Sequence, residues 1–239
     1  RRRRRWQTMN GIPTLVAHDL RLQYRYGIHA AYGTVIALYG AFLVFAGPHL
    51  PDWAVALVIF SDPSALGFFF LGGLMLLEKG EGVRAALSIS PVSAHTYLLA
   101  KTITLTALAL AAVIVLGVAK SGAVNWPQLL VAVVLTSLFY IGIGVPIALR
   151  FKTVNAYLLG SALFLGPVLV PAGLALVDPL PTPLLAFPPV AQFRLTLTAL
   201  GYGSATRLDL VAMYASPLLA ATAALFYAHR VLQSELGRK

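Results

Sequence analysis

The sequence predicts an all-α integral membrane protein with six transmembrane helices, on three observations. The chain is too apolar for one soluble core, it carries six apolar runs of membrane-crossing length, and its positive charges fall almost wholly to one side of those runs. Of 239 residues, 59% are hydrophobic and 11% charged, with mean hydropathy +0.81. A soluble domain sits near ~45–50% apolar and ~25% charged, so the solvent for most of this chain is lipid.

The runs are read at Ile28–Ala46, Ala54–Leu77, Thr96–Val118, Leu129–Leu149, Val154–Val177 and Leu210–Leu232. A helix rises about 1.5 Å per residue, so roughly twenty residues cross about 30 Å of hydrocarbon. The joints and tails outside the runs hold most of the Pro and the charge. Orientation follows from Lys and Arg, whose excess stays cytoplasmic. Fifteen fall on one side: Arg1–Arg5, Arg21, Arg25, Lys79, Arg84, Lys101, Arg150, Lys152, Arg230, Arg238 and Lys239. Only Lys120, Arg194 and Arg207 fall on the other. Both ends are therefore expected on the cytoplasmic side of the cell membrane. The first run also suggests a signal peptide, with Val44-Phe45-Ala46 as a weak cleavage site. The basic region ahead of it is too long and the run too complete for that reading. The chain opens on Arg, with Met9 a candidate natural start. Arg1–Arg5 beside Trp6 form either a lipid-binding tail, at roughly 1 kcal/mol per charge, or an inert one.

Ahead of the first span, Thr14, His18, Arg21 and Arg25 recur at i, i+4, i+7 and i+11 and share a polar helical face. Leu15, Leu22 and Tyr26 lie to one side, Val16 and Leu20 opposite, and Asp19 and Gln23 interrupt the apolar side. The expectation is an amphipathic helix over Ile12–Gly27 on the cytoplasmic membrane surface; a straight extension of the first span is the alternative. The cytoplasmic loop after span two crowds Glu78, Lys79, Glu81 and Arg84 around Gly80 and Gly82. Val83, Ala86 and Leu87 then recur at i, i+3 and i+4, one apolar face of a short helix that Pro91 stops. That face needs a cover, which is the membrane surface, the spans themselves or a soluble partner. The segment Asp178–Asp209 is expected outside and opens on prolines that exclude a continuous helix. Val190, Phe193, Leu197 and Leu200 follow at helical spacing, opposite Gln192, Arg194, Thr196 and Thr198. They predict an outer amphipathic helix between spans five and six, at the interface or folded back into the membrane.

Catalytic chemistry is not legible. The formal charge of +10 is distributed along membrane-flanking loops, not as a patch for nucleic acid. No Cys exists for disulfides or thiolate metal sites. Lys101-Thr102, Lys120-Ser121 and Lys152-Thr153 lack the preceding glycine of a phosphate-binding loop. The five His are scattered, without metal-ligand spacing. One acid, Asp62, lies inside a span, where ionised groups are costly and default to function. Ser61-Asp62-Pro63-Ser64 equally reads as a helix start, with Asp62 as cap and the second span broken there. Gly33, Ala37 and Ala41 form a small-residue stripe suited to close helix contact. Tyr32, Tyr39, Phe42, Phe68 and Phe69 with Asp62 make a candidate substrate path, against the plainer alternative of packing or lipid contact.

The loop from Glu78 to Lys101 carries a resemblance. An acid-Lys-Gly-acid-Gly run after span two, a short helix, Ser-x-Ser-Pro-x-Ser and a Lys opening span three together resemble ABC-2 type transporter permeases. The surface helix, the six spans and the outer helix agree, and Phe60–Ala100 most resembles actinobacterial drug-export permeases of the fluoroquinolone exporter type. The resemblance implies a single transmembrane domain: tail and connecting helix over 1–27, a six-span bundle over 28–232, and a tail over 233–239. It implies a non-catalytic half-transporter for an apolar or amphipathic molecule. Such a subunit pairs with a second permease subunit and docks a separate ATP-binding subunit, which binds the ATP and Mg; this chain holds no cofactor. Glu78, Glu81, Val83, Arg84, Ala86 and Leu87 would form the ATPase-coupling region. A secondary-transporter half and a lipid-modifying membrane enzyme remain as alternatives. The first needs intramembrane charge, of which Asp62 is the one candidate, and the second needs clustered acids or His at one membrane face.

Overall fold

Hydropathy dictates the frame. Among the described residues, six helices are long and apolar enough to cross a membrane: Ile28–Phe45, Asp52–Gly80, Ala94–Ala119, Trp126–Ala148, Val154–Leu176 and Arg207–Glu235. They coincide with the predicted spans to within a few residues. The structure is a computed structural model that describes residues 2–83, 92–120 and 122–237, with side chains over 11–83, 92–120 and 122–235.

Helix α1 (Arg2–Arg25) leads into α2 (Ile28–Phe45) through Gly27, at φ 70 and ψ 15. That left-handed conformation is cheap only for glycine, so the residue type permits the sharp turn. After a short turn at Gly47–His49, α3 (Asp52–Ala65) runs back across, with Asp52 in its first turn complementing the helix dipole. A π-helical turn at Leu66–Phe70 connects α3 to α4 (Leu71–Gly80). It follows directly on Pro63, which offers no backbone N–H to the ladder. The Tyr157 hydroxyl donates to the Phe68 carbonyl of this turn at 2.5 Å. Gly72 makes room for the same ring, since a Cβ there would overlap it.

Helix α5 (Ala94–Ala119) is capped by Ser93, whose Oγ accepts from Thr96 N at 3.1 Å. Helices α6 (Trp126–Ala148) and α7 (Val154–Leu169) are capped likewise by Asn125 and Thr153. The fifth span finishes as a 3₁₀ stretch, Val170–Leu176, with Pro171 at its start. A 3₁₀ turn at Thr182–Ala186 precedes α8 (Pro188–Ala199), and α9 (Arg207–Gly237) closes the bundle.

Helix α6 is the hub, packing on α9, α5, α8 and the α3–α4 span. Its tightest crossing is at Gly142, where a Cβ would stand 2.6–2.8 Å from Ala224 and the α9 backbone. Small residues set close helix approach where lipid removes the hydrophobic drive for association. By contrast α2, α7 and α9 present Leu38, Phe45, Leu159, Leu163 and Leu219 outward. In a membrane those faces meet lipid or another chain.

Candidate functional site

The largest cluster of buried charge sits where α1, the end of α4 and the start of α5 meet. Lys101 lies seven residues into α5, about 10 Å along its axis. Its Nζ donates to both Asp19 Oδ1 of α1 and Glu78 Oε1 of α4. All three residues are at most 3% exposed. Two carboxylates against one ammonium leave oxygens that need neutral donors, and the neighbours supply them. Tyr97 donates its hydroxyl to Glu78 Oε2 at 2.5 Å, and the Thr104 hydroxyl and the Gln23 amide donate to Asp19 Oδ2, the amide at 2.9 Å. Gln23 also reaches Thr104 at 3.1 Å, and the Lys101 ammonium stands 5.4 Å from the centre of the Tyr97 ring. A cavity of about 280 Å³ adjoins this knot, lined by Thr14, Leu15, His18, Val83, Val92 and Ala100 besides the charged residues. At the surface Arg25 pairs with Glu81. There the Tyr26 hydroxyl and the Arg25 guanidinium hold the Glu81 carboxyl below its ordinary range. The stability this adds is present at neutral pH and lost as the pH falls through that lowered value. Exposed pairs of this kind contribute little. The buried knot is what ties α1, α4 and α5 into one unit.

The helix ahead of span one is thus docked to α5 by the two residues that spoil its amphipathic pattern. Asp19 and Gln23 are buried because they are the side chains with partners on α5. The predicted surface helix is therefore longer, spanning Arg2–Arg25, and held through polar contacts, not only by an apolar stripe. One signal in the sequence pointed here: Lys101 sits inside an apolar run, where a charge needs a partner. Of the predicted coupling residues, Glu78 is buried in the knot, Glu81 is exposed and Val83 lines the cavity. Arg84, Ala86 and Leu87 lie outside the described residues.

Asp62 does not cap a helix. The second span runs through Pro63 without restarting; Pro51 is the cap of α3, and Asp62 is a buried interior residue whose Oδ2 accepts the Tyr32 hydroxyl at 2.5 Å. A proline can continue a helix when the ladder rearranges, as the following π turn does. The other predicted path residues do not form one surface within this chain. Helix α2 buries only the stripe Tyr32, Ile36, Gly40 and Leu43, leaving Tyr39 and Phe42 exposed. Phe68 packs instead with Tyr140 and Leu165, with Phe69 edge-on at 5.6 Å.

At the opposite end of the bundle, α8 takes the folded-back placement of the two expected for the outer helix, not the surface one. Both its faces are buried: Phe193 stacks on Phe60 at 4.9 Å, while Gln192, Arg194 and Thr196 are covered as fully. The helix is folded back into the bundle, and its cation is matched on the way. Arg194 donates to the carbonyls of Ala175 and Ser204, each at 3.1 Å, and to Asp178 at 2.8 Å. Nearby, Asp209 accepts from the Thr182 hydroxyl at 2.7 Å and the Thr206 hydroxyl at 2.8 Å, pinning the start of α9. A cavity of about 210 Å³ lies among these residues.

Comparison with known proteins agrees with this architecture. A model of the fluoroquinolones export permease protein family matches residues 11–236. The fluoroquinolones export permease proteins of two Mycobacterium tuberculosis strains are each 30% identical over 115 residues, 48% of this chain and 48% of theirs. The alignment thus spans about half the length of the curated relatives it matches. No solved structure matches the chain. With six helices of membrane-crossing length and apolarity among the described residues and a family match across nearly its whole length, this multi-pass membrane protein belongs to the fluoroquinolones export permease protein family.

Proposed function

We propose that this chain is the membrane subunit of an ATP-driven ABC-2 type exporter. It moves an apolar or amphipathic small molecule, drug-like or lipid-like, out of the cell by alternating access, and fluoroquinolone-like compounds are the first substrates to try. The ATP and Mg are bound by a separate ATP-binding subunit, and a second permease subunit, identical or not, completes the transporter within the lipid of the plasma membrane. The domain division is a tail and connecting helix over 1–27, the bundle over 28–232 and a tail over 233–239, with both ends cytoplasmic.

The observation that carries this reading is the Asp19–Lys101–Glu78 knot. It joins the connecting helix to the two spans that flank the coupling loop, so a push on that loop reaches spans two and three as one displacement. The family match supports the export role, and the lack of a phosphate-binding loop in this sequence is in keeping with a motor carried by a separate subunit.

The test is co-purification and ATPase stimulation with a candidate ATP-binding subunit from the same organism, comparing wild type with Val83→Asp and Leu87→Asp. Burying a Leu contributes roughly 1.5–3 kcal/mol, so an unpaired charge at either position is expected to abolish both signals while the permease stays folded in detergent. Normal binding and stimulation by both variants would refute the coupling assignment. Topology is tested separately. A single Cys at position 207, in a chain with none of its own, is expected to react with an impermeant maleimide on intact cells. Labelling only after permeabilisation would reverse the orientation.

A further inference from the structure

The seam between α2 and α3 contains a buried acid without a counter-ion. Among the described residues the ion pairs are Arg25–Glu81, Lys101–Asp19, Lys101–Glu78 and Arg194–Asp178, and Asp62 is in none of them. Asp62 is 6% exposed and lies ten residues into its span, about 15 Å along the axis and so near mid-bilayer. A carboxylate at that depth is costly and is kept where a charge is used; an Asn would bridge to Tyr32 equally well.

The surroundings say what kind of charge. Tyr32, itself buried, holds the carboxylate through its hydroxyl, and Phe70 meets the Tyr32 ring edge-on at 5.7 Å and 71°. A carboxylate beside aromatic rings suits an organic cation, through ion pairing and the negative ring faces. A metal ion would need more oxygen ligands than one carboxylate and one phenol. The seam is also the weakly built side of α2. That helix packs mainly on α1 and α5, and Tyr32 reaches across to α3 by its side chain. Moving the Tyr32 side chain off the carboxylate therefore breaks one hydrogen bond and no tight helix crossing.

We propose that Asp62, Tyr32 and Phe70 form a recognition site for a lipophilic organic cation, with the Tyr32 hydroxyl occupying the carboxylate until the cation displaces it. This deepens the export reading by naming the substrate class, and it rests on that reading for the cation's transport but not for its binding.

The test uses the full chain purified in detergent, without ATP or partner, and two probes of one shape and opposite charge, tetraphenylphosphonium and tetraphenylborate. Wild type is expected to bind the cation at least tenfold more tightly than the anion. Asp62→Asn is expected to abolish that preference while Asp62→Glu keeps it. Tyr32→Phe, which removes the competing donor, is expected to hold or strengthen cation binding. If Asp62→Asn does not fold, thermal protection of wild type by the cation and not the anion is the deciding measurement. No charge preference in wild type, or a preference that survives Asp62→Asn, would overturn the site. Because no ATPase is present, failure here leaves the exporter reading to the coupling experiment.

Discussion

Replacing Lys101 by Met is expected to destabilise the protein by about 3–5 kcal/mol, the range for removing one partner from a buried ion pair. The substitution keeps an unbranched side chain one atom shorter and takes away the ammonium with its charge and donors. Asp19 and Glu78, both nearly inaccessible, are then left as buried carboxylates facing each other without a cation. Tyr97, Thr104 and Gln23 cannot neutralise them. Unfolding in mixed micelles, followed by circular dichroism, measures the loss. The diagnostic comparison is the triple variant Lys101→Met with Asp19→Asn and Glu78→Gln. Removing every charge at once is often near neutral where removing one is severe, so the triple variant is expected to recover most of the lost stability. If it is as unstable as Lys101→Met alone, the lysine matters by packing and the electrostatic account fails. If the knot transmits motion as proposed, the recovered variant remains folded yet shows reduced ATPase stimulation, since neutral contacts between α1, α4 and α5 hold them less firmly.

Arg194→Met is the second large effect, about 3 kcal/mol. It falls at the lower end for a buried charge because its carboxylate partner Asp178 is half exposed and can return to water. The cost comes from the Ala175 and Ser204 carbonyls, which lose charge-assisted donors. Arg194→Lys is expected to recover only part of this, since one ammonium cannot match a planar fork set between three acceptors. The damage should be local. With the fork gone, Asp178 and Ser204 lose their tie to α8, so hydrogen exchange should find the segments around them opened while α5 and α6 stay protected. Gly203→Ala should reproduce a mild form, because a Cβ there would stand 2.8 Å from the guanidinium and Gly203 has φ 72. Uniform loss of protection through the bundle would show instead that Arg194 supports the whole fold.

The sequence by itself determined that this protein lives in lipid, how many times it crosses and where each crossing begins and ends. Those features depend on local quantities: the length of an apolar run and a proline that bars a helix. Tertiary structure alone decided what the polar residues do. Asp19 and Gln23 looked like flaws in an amphipathic helix because their partners, Lys101 and Thr104, are about eighty positions away. Gln192, Arg194 and Thr196 looked solvent-facing because periodicity reports which residues share a face, not what that face meets. Arg194 is buried because carbonyls from two other segments converge on it. Asp62 beside Pro63 carried the local marks of a helix start, yet the π turn that lets the span continue draws on Tyr157, nearly ninety residues on. In lipid a buried charge is costly unless it finds a partner inside the protein, and that partner is chosen by the packing of the whole bundle.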